Sequence, residues 1–266
     1  MSNSKIQDIL DILDYLELDE TRKRLAELYK SPEFSSYNSL QLLREILSVQ
    51  YISDKNSSFE KSVKLSKVRN ISASLENIKT GNGRKYDENV IEQISSFDFV
   101  DKAYNVGIYG VSGAGKTYLM SALCIEACRE GFDCRFVDYG ETMDELIALS
   151  RYTDLSKYNK KLKKLSKHQI LFIDDFAISK YPEEGMKILY QLIKQREENG
   201  KSTIFTTQYS PDEWGRRLSE NENCYGKLDG IRRRLTAGHT LLLEKTSERN
   251  KQVNKNRPQN QTSSER

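Results

Sequence analysis

Eight consecutive residues have the types and the spacing to hold a phosphate chain. Gly110-Val111-Ser112-Gly113-Ala114-Gly115-Lys116-Thr117 satisfies G-x-x-x-x-G-K-[ST] in full. Glycines let the backbone curl until its N–H groups converge on phosphate oxygens. A helix opening at the end of the loop adds partial positive charge. Lys116 is expected to reach the β- and γ-phosphates and the Thr117 hydroxyl to ligate Mg²⁺. With Tyr118 as the next residue, the expected ATP-binding set is Gly110, Val111, Ser112, Gly113, Ala114, Gly115, Lys116, Thr117 and Tyr118.

A second group completes the chemistry. Ile170-Leu171-Phe172-Ile173 is an apolar run ending in Asp174-Asp175, the pattern of a strand buried on both faces that delivers two carboxylates at its C-terminal edge. Asp174 is expected to hold Mg²⁺, directly or through water. Asp175 is expected to orient and deprotonate the attacking water. Glutamate is more usual at that second position, and the shorter Asp175 implies slow hydrolysis. Ser202-Thr203-Ile204-Phe205-Thr206-Thr207-Gln208 reads as a further strand, with Thr207 or Gln208 placed to touch the γ-phosphate or the water.

These residues need a scaffold, and the surrounding pattern supplies one. Short β-rich runs at 105–109, 134–138, 169–173, 202–207 and 239–244 alternate with amphipathic helices near 87–96, 116–130, 141–150, 155–167, 183–199 and 211–219. Such alternation predicts a mostly parallel sheet covered on both faces. Ahead of it, residues 1–75 read as a helical module. Ile6, Ile9, Leu10, Leu13 and Leu16 recur at helical spacing, as do Leu25, Leu28 and Tyr29, then Leu40, Leu43, Ile46 and Leu47. Asn38 or Ser39 would cap the third helix, and Pro32 separates it from the second or opens a short helix of its own. The expected organisation is a helical domain over 1–75, an α/β domain over 76–250 and a disordered polar tail over 251–266.

The 266 residues carry 42 Lys and Arg against 39 Asp and Glu, a net charge of +3. No apolar run approaches the roughly 20 residues of a membrane span, and no signal peptide is read, so a cytoplasmic chain is expected. The small net charge hides an asymmetry. Residues 1–54 hold six basic and ten acidic side chains, whereas 55–85 hold eight basic and two acidic, a reversal that suits a surface facing a polyanion. A second basic element lies between Asp154 and His168. With Leu155, Tyr158, Leu162 and Leu165 on the core side, Lys157, Lys160, Lys161 and Lys164 form a stripe suited to DNA-backbone contact, or equally a solvated face. Cys124, Cys128, Cys134 and Cys224 lack paired spacing and read as reduced thiols rather than a metal site. Trp214 reads as a packing anchor.

Taken together, the chain resembles the AAA+ helper ATPases of insertion-sequence transposition, the IstB-type proteins, relatives of the DnaC-type helicase loaders. The resemblance runs from about residue 71 to 250. It rests on the phosphate loop, on Ser74-Leu75-Glu76-Asn77-Ile78, on Leu189-Tyr190-Gln191-Leu192-Ile193 with Arg196 and Glu197, and on Gln208 to Trp214. Ile231-Arg232-Arg233-Arg234-Leu235 resembles the family's I-L-D-R-L, which makes Arg234 the matching arginine finger for a neighbouring subunit's nucleotide. Arg233 stands where the family has Asp, so three arginines compete for the role. Ser247-Glu248-Arg249 resembles an S-x-R element, making Arg249 a candidate second sensor. The resemblance implies a P-loop AAA+ core, ATP and Mg²⁺ as cofactors, and a homo-oligomer on DNA, double-stranded rather than single-stranded. It implies recruitment of a transposase or, in the alternative, loading of a replicative helicase. A small-molecule kinase would instead place arginines on a lid over the phosphates, and here they cluster near the C-terminus.

Overall fold

The computed structural model describes residues 3–78, 84–151, 155–218 and 225–245. Gly81 to Gly83, Tyr152, Cys224, Arg249 and the tail 251–266 lie outside them. The chain divides into two compact units, Met1–Ser62 and Val63–Arg266. That division falls earlier than the expected 75, because residues 63–75 pack within the second unit. Val68 and Ala73 are buried, and Arg135 donates to the Leu65 carbonyl at 3.2 Å.

The first unit is helical. Helix α1 runs Asn3–Tyr15, α2 runs Asp19–Lys30, a 3-10 turn spans Pro32–Ser36, and α3 runs Ser39–Ser66, continuing past the unit's end. Pro32 does open a short helix, with Ser31 as its N-cap accepting from the Glu33 amide. Asn38 starts α3 through reciprocal bonds: its Oδ1 accepts from the Gln41 amide at 2.9 Å while Gln41 Oε1 accepts from the Asn38 amide at 3.1 Å. Leu13, Leu25, Leu28 and Ile46 form the core, flanked by Ile6, Leu10, Leu18, Phe34, Tyr37 and Leu42. Ile9, Leu16, Leu40, Leu43 and Leu47, which share the helical spacing, are exposed instead. Three short-range helices can bury only one stripe each, and these residues lie outside it.

The second unit holds a six-stranded sheet. Its strands are β1 (Arg84–Lys85), β2 (Asn105–Gly110), β3 (Cys134–Asp138), β4 (Ile170–Asp174), β5 (Ser202–Thr207) and β6 (Gly238–Lys245). They lie in the order β1-β6-β2-β5-β4-β3, with all pairs parallel except β1 against β6. The helices are α4 (Glu88–Ser95), α5 (Asp98–Asp101), α6 (Lys116–Arg129), α7 (Tyr139–Arg151), α8 (Leu155–Lys167), α9 (Glu183–Glu198), α10 (Trp214–Leu218) and α11 (Tyr225–Leu235). Strand β4 is buried along its whole length, as its unbroken apolar run requires. Leu171, Ile173 and Phe205 face a core shared with α7 to α11. Trp214 anchors it, with ring centroids 5.1 Å from Phe176 and 5.7 Å from Phe205. Helix α11 and strand β1 were not expected. Among the described residues no helix is long and apolar enough to cross a membrane.

Candidate nucleotide site

The strand order puts β2 between β5 and β6, with β4 next beyond β5, so the phosphate loop and the two aspartates emerge at one sheet edge. Gly113 and Gly115 adopt φ of 76° and 95°, conformations that a side chain would strain. Gly110 runs so close to β6 that a Cβ there would lie 2.5 Å from the Leu243 carbonyl oxygen. The loop then feeds directly into α6, which begins at Lys116.

Lys116 is buried, and its Nζ donates to the Gly110 carbonyl at 2.8 Å and the Val111 carbonyl at 3.1 Å. Burial lowers its pKa, while the carboxylates of Asp175 and Asp174 oppose that shift. An ammonium whose hydrogen bonds, among the described residues, go to its own loop's carbonyls is placed to exchange them for an anion of higher charge.

Asp174 has no solvent exposure, so its carboxylate must be satisfied from within. Its Oδ1 accepts from Thr117 Oγ1 at 3.1 Å and from Thr206 Oγ1 at 2.6 Å. Its Oδ2 faces the Arg69 guanidinium at 3.3 Å. A hydroxyl and a carboxylate meeting beside the loop fit a hard, oxygen-seeking cation, and the guanidinium on the outer oxygen shows that positive charge is accommodated there. Asp175 follows with φ of 55°, its amide donating to Thr206 Oγ1 at 3.0 Å. Burial, then the neighbouring Asp174 charge, raise its pKa, against the pull of Lys116.

The structure therefore brings Gly110 to Thr117, Asp174 and Asp175 together. Tyr118 sits one step along, its hydroxyl accepting from the Ser74 amide at 3.3 Å. Gln208 is exposed at the end of β5 and lines, with Gly110, Val111, Tyr209 and Leu242, a cleft of about 820 Å³. Thr207 is not available for a phosphate: it is fully buried and its hydroxyl donates to the Phe176 carbonyl at 2.8 Å. Thr206 takes the polar role on β5. Strand alternation is the signal that would have found it, since the β4–β5 register pairs Ile173 with Phe205 and the next residues along are Asp174 and Thr206.

The remaining candidates lie apart from the loop's contacts. Arg234 is committed within the chain: its Nε pairs with Glu197 Oε2 at 2.5 Å, its Nη1 donates to the Gly230 carbonyl, and its guanidinium lies 5.4 Å from the Tyr190 ring. Arg232 pairs with Asp212 and Asp229. Arg233 is exposed and makes no ion pair among the described residues. On α8, Lys157, Lys160 and Lys164 are exposed, whereas Lys161 turns inward to pair with Glu145, and burial lowers its pKa. Leu162 and Leu165 are buried as expected, but Leu155 is exposed. Cys124, Cys128 and Cys134 are buried thiols, and no metal-binding group of His, Cys, Asp and Glu exists among the described residues.

The chain is similar to known proteins at two levels, sequence family and fold. The profile of the family described as IstB-like ATP binding protein matches residues 12–256, reaching further into the N-terminal helices than the motifs alone indicate. The protein named as the ATP-binding protein of insertion sequence IS1162 in Pseudomonas fluorescens is 27% identical over 202 residues, covering 76% of this chain and 86% of that protein. Its counterpart for IS5376 in Geobacillus stearothermophilus is 28% identical over 145 residues, 54% of this chain and 56% of its own length. Among solved structures, DnaI superposes with a TM-score of 0.55 at 19% identity, covering 69% of this chain and 93% of that one. The DnaC helicase loader superposes with a TM-score of 0.53 at 22% identity, covering 65% and 98%. The fold is that AAA+ fold.

Proposed function

The chain belongs to the IstB-like ATP binding protein family, and we propose that it is an ATPase that assembles on double-stranded DNA and recruits or activates the transposase of an insertion sequence. The observation that carries the ATP-dependent part is the convergence of Lys116, Thr117 and Asp174 at one sheet edge. The link to transposition is supported by relatives named for insertion sequences.

Lys116 would release its two loop carbonyls and bind the β- and γ-phosphates of ATP, joined by amides of the loop and the N-terminus of α6. Thr117 and Asp174 would hold Mg²⁺, whose chemistry is to neutralise charge developing on the phosphate oxygens. Thr206 keeps Asp174 oriented. Asp175 would accept the proton of the attacking water, and Gln208 would hydrogen-bond that water or the terminal phosphate. Of the three arginines, Arg233 is the one free to reach a neighbouring subunit's nucleotide in place of Arg234. Lys157, Lys160 and Lys164 offer DNA a backbone-tracking face, and the N-terminal unit would contact DNA or the partner protein. The test is a titration with a fluorescent ATP analogue, followed by turnover with and without duplex DNA. Tight binding lost in Lys116→Ala and turnover raised by DNA are expected; binding indifferent to Lys116 would overturn the site.

A further inference from the structure

The segment that follows α3 crosses the nucleotide site, and one of its side chains reaches the aspartate proposed to bind metal. Arg69 Nη1 lies 3.3 Å from Asp174 Oδ2, and its Nη2 lies 3.6 Å from Asp138 Oδ2 at the end of β3. Five residues on, the Ser74 amide donates to the hydroxyl of Tyr118, which directly follows the loop's Lys116-Thr117. Between these two points Ala73 is buried. The segment is thus fastened at both ends to groups that border the phosphate site.

The two partners of the ion pair differ in freedom. Asp174 is wholly buried and its other oxygen is fixed by two threonine hydroxyls, so it cannot follow a departing cation. The Arg69 side chain is 51% exposed and meets each carboxylate through a single nitrogen, not the two-pronged grip that makes arginine pairs strong. It can swing into water at little cost. A buried carboxylate that needs a positive charge, and holds a replaceable one, has the arrangement of a site with a resident stand-in.

We propose that Arg69 is an internal competitor of the metal ion. It neutralises Asp174 and Asp138 while nucleotide is absent, and it is expelled when a divalent cation enters with ATP. Expulsion unfastens residues 67–78 at their Arg69 end, so metal-nucleotide loading is read out as a change in that segment. This rests on the nucleotide site proposed above and adds to it a built-in control of metal entry.

The experiment is a Mg²⁺ titration of fluorescent ATP-analogue binding, using the full chain and the variants Arg69→Ala and Asp138→Asn. The second variant removes the Asp138 charge without touching the threonine-held aspartate, and it keeps the Oδ1 that accepts from the Glu141 amide. Removing the competitor should lower the half-saturating Mg²⁺ concentration about two- to fivefold in Arg69→Ala, the scale of a half-exposed ion pair, whereas Asp138→Asn, which keeps the guanidinium and takes a negative charge from beside the cation, should not lower it. Hydrogen exchange of peptides spanning 67–78 should rise in the wild type on adding Mg²⁺ and analogue together, and not with Mg²⁺ alone. An unchanged or increased Mg²⁺ requirement in Arg69→Ala, with binding intact, would overturn the competitor and leave the nucleotide site standing. No analogue binding in the wild type would overturn both.

Discussion

Around Asp174 the donors are two alcohols and one guanidinium, and each contributes differently. Thr206 Oγ1 serves two clients, donating to Asp174 Oδ1 and accepting from the Asp175 amide. Thr206→Val keeps the shape and removes both bonds, leaving a buried carboxylate and an amide short of a partner. A loss of about 1–3 kcal/mol of stability is expected, together with weaker Mg²⁺-dependent nucleotide binding. Thr207→Val, one residue on, should cost stability through the Phe176 carbonyl and leave nucleotide affinity unchanged. Denaturant unfolding and analogue titration of the two variants check this, and equal effects on affinity would contradict it. The arginines divide in the same way. Arg233→Ala should abolish cooperative turnover while sparing stability and nucleotide affinity. Arg234→Ala should lower stability, because Arg234 holds Glu197 and lies on Tyr190. Cooperative turnover intact in Arg233→Ala would return the finger to another residue.

Elements hold these residues in place, and some are held by groups far from the nucleotide. Arg196 on α9 is 1% exposed and donates to the carbonyls of Leu165, His168 and Ser202 and to the Thr203 hydroxyl. It therefore ties the end of α8 to the start of β5. Arg196→Leu strands those acceptors, and a loss of about 1–3 kcal/mol is expected from unfolding curves; no measurable loss would contradict the clamp. How much of this was legible in the sequence follows from period and length. The five parallel strands and the loop helix could be read because continuous apolar runs and the glycine spacing mark them. Strand β1 has two residues and so no alternation to detect. Helix α11 buries Leu228, Ile231 and Leu235 at helical spacing, but Gly226, Gly230 and three consecutive arginines masked the pattern. The inward turn of Lys161 was hidden because helical spacing alone cannot tell the edge of an exposed face from its centre. Arg69 was visible only as one more cation in a basic segment, since its partners lie about 70 and 105 residues away in sequence.

At the scale of the whole molecule, stability and charge set the conditions under which the site works. The Tyr139 hydroxyl is buried without a hydrogen-bond partner among the described residues, and burial pushes its phenol well above its usual value of 10. Burial likewise takes Tyr109 and Tyr181 up to about 12. Unfolded tyrosines ionise near pH 10 while these three keep their protons in the fold, so the unfolded state binds fewer protons there. Stability is fully present below about pH 10 and falls as pH rises beyond it. Tyr139→Phe should be at least as stable as wild type at pH 7, since it removes an unpaired hydroxyl, and should lose stability less steeply above pH 10. A clear destabilisation at pH 7 would mean the hydroxyl has a partner after all. For charge, the basic residues of 55–85 and the exposed α8 lysines sit on a chain of net charge only +3, so attraction to a polyanion must come from local faces and must be screened by salt.

ATP-controlled assembly on DNA is tested most directly by binding to labelled duplex and single-stranded DNA of equal length, with a non-hydrolysable ATP analogue or with ADP, across a salt series. Duplex binding that requires the triphosphate, grows cooperatively with length, weakens steeply with salt and is reduced in the Lys157, Lys160 and Lys164 alanine variant is expected. A preference for single strands would contradict the duplex assignment and favour a helicase-loader role. No DNA binding in any nucleotide state would contradict assembly on DNA altogether.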